Sequence, residues 1–141
     1  MEHYTRWEPV SGIVAPFLSV DIRTGPEAFT VRGVGYGGPD TPARDLDLTF
    51  APNVLAFTSY DEFAHPWQGS EAGPVPKLAA PWAKYAFPLL VVHDSPWFRA
   101  TVDDETQPRA WYTHYRIVSL DHTVDLITSG AVHAEWVPPA V

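Results

Sequence analysis

The side chains best able to do chemistry in this chain are six histidines and seventeen carboxylates, and their spacing limits what they can do. His3, His65, His93, His114, His122 and His133 could ligate a metal or carry a proton. No two stand at an i, i+4 or His-x-His spacing, the patterns that set two imidazoles on one face of a helix or strand. Strand alternation can bring His114 beside His122 or His133, but nothing places a third ligand, so no metal is expected. His93-Asp94 is similar to the metal dyad of a phosphohydrolase family. That family carries it on a helix with further ligands downstream, whereas here it follows an apolar run and precedes Ser95-Pro96, so that reading is rejected. The absence of cysteine excludes disulfides, thiolate zinc sites and cysteine nucleophiles.

Paired carboxylates can serve as general acid and base, but only where the surroundings perturb them. Asp45 and Asp47 alternate with Leu46 and Leu48 and are expected to face water. Asp61-Glu62 and Asp103-Asp104-Glu105 fall at the ends of elements. No Gly-x-Ser-x-Gly elbow is present for a serine nucleophile. The run from Gly33 to Gly38 matches neither a phosphate-binding loop nor a dinucleotide fingerprint, so it reads as a flexible connection and no cofactor is expected. Catalytic residues are therefore not assigned. If there is a polar pocket, His93, His114 and Tyr115 are its first candidates.

With 9 basic against 17 acidic residues the net charge is −8, which argues against nucleic acid as a partner and for a basic protein. Six tryptophans are many for 141 residues. Some are expected in the core, whereas Trp67 and Trp82 lie in or beside a Pro/Gly-rich stretch and fit the make-up of interface anchors, the alternative being that the loop folds back and tucks them in. No run approaches the about 20 apolar residues of a spanning helix, and the first residues hold no signal-peptide core. A soluble, cytoplasmic, bacterial protein with no membrane partner is the expectation.

The elements that must position these residues are mainly strands. Fifteen prolines and nine glycines exclude a helical bundle. Residues 44–50 alternate strictly, and 54–60 follow after a loop of hairpin length, so the two are expected to pair antiparallel. A second hairpin joins 111–120 to 123–128 through a turn at Asp121-His122, and 132–136 adds a last strand. Residues 13–22, 28–34 and 87–92 read as three more. Ser95 followed by Pro96, with Phe98 and Val102 four apart, marks one helix. Acids near its C-terminus oppose its dipole, so the helix is expected to be short or fraying there. Residues 61–81 read as a long loop. The expected fold class is α+β, mostly antiparallel β-sheet with one or two short helices, in a single domain over 1–141.

The run from His114 through Tyr115, Arg116 and Val124-Asp125-Leu126 to Ile127, preceded by Val91-Val92-His93-Asp94-Ser95-Pro96-Trp97, resembles a pattern in small uncharacterised bacterial proteins. In those proteins a strand ends at a helix-opening Ser, and a His-Tyr strand, a tight turn and a Val-Asp-Leu strand follow. The resemblance implies a core hairpin and an association with toxin immunity. Its motif brings no catalytic residues. The functional expectation is a non-catalytic acidic binding protein that occludes the active site of a basic, nuclease-like bacterial toxin. Asp45, Asp47, Asp103, Asp104 and Glu105 would supply the field, and Trp67 and Trp82 the anchors. The alternative is a small β-rich enzyme or small-molecule-binding domain with a Tyr/Trp/His-lined pocket.

Overall fold

The computed structural model describes residues 2–35, 43–50, 54–61 and 74–139. Among them nine strands form two antiparallel sheets. One sheet has the order β1 (His3–Arg6), β6 (Leu89–His93), β7 (Thr113–Val118), β8 (His122–Thr128) and β5 (Val54–Asp61). The other runs β2 (Phe17–Thr24), β3 (Phe29–Gly35), β4 (Asp45–Phe50) and β9 (Val132–Val137). The architecture is thus nearly all-β, with one short α-helix, α1 (Pro96–Thr101), and a 3-10 turn at Arg109–Trp111 among the described residues. None of their helices is long and apolar enough to cross a membrane.

Period-two alternation explains the inner faces. Leu46, Leu48 and Phe50 of β4 and Val31 of β3 are fully buried, as are Leu89, Ile117, Val124 and Leu126 of the facing sheet. Phe50 meets both Trp7 and Tyr115, tying the layers together. At one corner the Leu120 amide donates to the Phe17 carbonyl at 2.9 Å. The Phe17 ring lies where a Cβ on Gly33 would come within 2.9 Å of it. Gly33 and Gly35 are therefore strand residues of β3 that admit close neighbours, not a flexible connection; 36–38 lie outside the described residues.

Two expectations are corrected here. The runs at 44–50 and 54–60 are strands but do not pair: β4 is flanked by β3 and β9, so neither edge is left for β5, which pairs with β8. Asp45 does not face water either. It is 1% exposed, and its carboxylate accepts the Gly35 amide at 3.1 Å, which satisfies a charge that burial would otherwise penalise.

The five-stranded sheet is covered on its outer face too. Trp97 of α1 packs edge-on against His114. Phe87 is buried beneath the Arg6 guanidinium, which lies 5.1 Å from its ring centre, and Arg6 also donates to the Lys77 carbonyl at 2.8 Å. A strand between two covered faces loses its polar side. β8 accordingly shows six consecutive buried residues, Thr123 to Thr128, with Asp125 among them.

Candidate functional site

Asp125 is the centre of a polar cluster on that outer face. The register pairs it with Arg116 across β7 and β8, and His114 is the diagonal neighbour. One carboxylate oxygen, Oδ1, accepts from His114 Nε2 at 2.7 Å and from Arg116 Nε at 2.8 Å. The other, Oδ2, accepts the Tyr60 hydroxyl from β5. On the far side of Arg116, Tyr4 of β1 lies with its ring under the guanidinium at 5.3 Å and donates through its hydroxyl to Glu2 at 3.2 Å. Arg116 also approaches Glu2, at 3.8 Å. Four of the five strands contribute to this arrangement. His114 and Arg116 are each 2% exposed and Asp125 is 3% exposed.

The electrostatics follow from burial and pairing. Burial works to raise the Asp125 carboxyl, but the His114 hydrogen bond and the Arg116 charge outweigh it and hold the group below its ordinary value. Burial likewise opposes the charge on Arg116, and Asp125 more than restores it. The Tyr60 phenol is pushed far up, first by burial and then by the Asp125 charge. Tyr4 is raised, chiefly by burial. Because an ionised carboxylate only accepts, His114 Nε2 must carry the proton it donates. Its other nitrogen, Nδ1, is buried with no hydrogen-bond partner. An imidazole oriented by a carboxylate, with its second nitrogen open, has the arrangement of a general base. Here that nitrogen is shut off from solvent.

The other candidates are dispersed. Tyr115 points to the opposite face of β7, against Trp7 at 4.2 Å, so it cannot share a pocket with His114. His93 stacks on His3 at the end of the sheet, 4.7 Å between ring centres, and its Nε2 meets Thr5 Oγ1 at 3.0 Å. His3 in turn lies 3.4 Å from Asp94. His122 and His133 are half exposed or more, each next to an acid, and His65 lies outside the described residues. No group of three His, Cys, Asp or Glu among the described residues is placed to hold a metal.

The acidic and aromatic candidates separate as sharply. Asp47 is half-buried in a two-bond pairing with Arg32, at 2.6 and 2.9 Å. Trp82 packs against the core rather than standing free, because the turn from Ala79 to Tyr85 folds it inward. Trp67 lies outside the described residues. Asp103, Asp104 and Glu105 are fully on the surface. α1 is short, six residues ending at Thr101, and its end is held: Arg109 returns to it and donates to the Val102 and Arg99 carbonyls at 3.1 and 3.0 Å. That supplies the positive charge the dipole requires there. Trp111, in the 3-10 turn that follows them, is 66% exposed, the most exposed large hydrophobic side chain among the described residues.

Sequence reasoning located His114 but not Asp125, Arg116, Tyr60 or Tyr4. The available signal was the charged pair within one apolar hairpin. The chain matches no protein-family model, no curated protein and no solved structure.

Proposed function

We propose that this chain is a non-catalytic, acidic binding protein of the bacterial cytoplasm that neutralises a basic, nuclease-like toxin by covering its active site. The observation that carries the reading is the closure of the Asp125 cluster. Its His, Arg and Asp are paired with one another and withdrawn from solvent, which suits a role in fixing the sheet. What remains for a partner is the surface of a chain whose net charge is −8. Such a field speeds encounter with a basic protein, and a buried aromatic contact then holds it. The resemblance of the 91–127 segment to small bacterial proteins associated with immunity points the same way.

The test is co-expression with the product of the neighbouring gene, followed by affinity capture at low and high salt and assay of the captured protein. A Lys/Arg-rich partner that is held more weakly at high salt, and whose activity is suppressed while bound, is the expected result. The reading fails if no complex forms under either condition.

A second reading, a small β-rich enzyme or small-molecule-binding domain, is favoured by one feature, the unpartnered Nδ1 of His114. A ligand there would raise the melting temperature of the wild type but not of His114→Gln. A small-molecule screen giving no such difference counts against it.

A further inference from the structure

Residues 103–112 form a rigid projection rather than a loose loop. The Thr106 and Gln107 amides donate to the Asp103 carbonyl at 3.1 and 2.8 Å, and the Trp111 and Tyr112 amides close the 3-10 turn at 3.0 Å each. Side chains reinforce it: Asp103 Oδ1 accepts the Glu105 amide at 3.0 Å and Asp104 Oδ1 accepts the Arg109 amide at 2.9 Å. The Tyr112 hydroxyl donates to Gln107 at 3.1 Å. The bond from Arg109 to Asp104 places that carboxylate two residues from Trp111 along the turn. The Arg109 guanidinium, being turned onto the end of α1, does not neutralise the acids from outside.

We propose that this projection is the docking surface for a basic protein segment, with Trp111 taking an arginine of the partner on its indole face and Asp104 and Glu105 pairing with the guanidinium edge. The inference rests on the binding reading above and names its surface and the chemistry of its partner. An indole face attracts cations, and arginine is the cation whose planar fork also suits carboxylates. The chain uses the same pairing internally, with the Arg44 guanidinium 4.3 Å from the Trp136 ring centre. A second copy of the chain is a poor occupant, because it carries the same net charge of −8. A surface already ordered by backbone hydrogen bonds loses little freedom on binding, which favours affinity from few contacts.

The test uses a synthetic Gly/Arg nonapeptide as probe, with Lys-for-Arg and Glu-for-Arg peptides as controls, titrated calorimetrically into the full chain at low salt. The Arg peptide is expected to bind more tightly than the Lys peptide, and the Glu peptide not at all. Trp111→Ala should weaken the Arg peptide by about tenfold, while Trp111→Phe retains part of the affinity. Asp104→Asn with Glu105→Gln should weaken it further and flatten the salt dependence, since Asn keeps the acceptor that holds the turn. Equal binding to wild type and Trp111→Ala overturns the proposal, as does equal binding of the Arg and Lys peptides. The captured toxin separates the two levels. A salt-sensitive complex indifferent to Trp111→Ala overturns the surface and leaves the binding reading standing, whereas absence of any complex removes that reading itself.

Discussion

The outer face of the five-stranded sheet and the projection at 103–112 both concentrate charge and aromatic side chains, yet they treat them in opposite ways. Around Asp125 every charge has a partner a few ångströms away and water is excluded. In the segment that carries Trp111, the Asp103 and Asp104 carboxylates each hold a backbone amide with one oxygen and stand in solvent, as does the indole. Breaking a buried charge pair costs the fold much, and the pair offers little to a partner that cannot reach it. An exposed charge contributes little to the fold and remains available for recognition. Residue type alone, Asp with His or Asp with Trp, does not separate these roles; burial does.

The contrast is sharpest in stability. Asp125→Ala leaves Arg116 buried without the Asp125 counter-charge and His114 Nε2 without its acceptor, and is expected to destabilise by about 3–5 kcal/mol. Denaturant unfolding should show a lowered midpoint at constant slope. Tyr60→Phe removes one hydrogen bond to a buried carboxylate and should lose about 1.5–3 kcal/mol in the same experiment.

The two groups also set a pH window. Asp125 titrates below its ordinary value of 3.8, so its contribution is present above that pH and is lost as the pH falls through the lower folded value. Tyr60 titrates above its ordinary value of 10.0, so its contribution is full below that pH and is lost as the unfolded state ionises above it. Urea unfolding across pH should show both limbs, with Asp125→Asn flattening the acid one and Tyr60→Phe the alkaline one. A limb unchanged in its variant would break the assignment.

Much of the fold was legible in the chain. The Ser95-Pro96 start of α1 stands as read, with Ser95 Oγ accepting the Phe98 amide at 3.1 Å. The β7–β8 hairpin also stands, because alternation and turn residues are local signals. The Asp125 cluster was not legible for a local reason as well. A turn centred on Asp121-His122 pairs Val118 with Asp125, whereas the observed turn pairs Arg116 with it. A two-residue slip preserves which side chains share a face but changes which of them meet. The partner of β4 was hidden by distance: β9 lies some eighty residues on, and no local signal competes with a nearby strand behind a loop of hairpin length. β1, four residues with only Tyr4 buried, is too short to show alternation.

The projection should respond weakly in stability. Arg109→Ala removes two bonds to the end of α1 and is expected to destabilise by about 1 kcal/mol, with faster hydrogen exchange confined to 96–102. Trp111→Ala and Glu105→Gln alter exposed side chains and should change the unfolding free energy by no more than about 0.5 kcal/mol.

The most direct test sets the two regions against each other in one binding measurement, the dissociation constant of the Gly/Arg peptide for wild type, His114→Gln and Trp111→Ala, each shown to be folded. If the sealed cluster serves the fold and the open projection serves recognition, His114→Gln binds as wild type and Trp111→Ala binds about tenfold more weakly. Loss of binding in His114→Gln with none in Trp111→Ala would contradict the account and place recognition at the cluster.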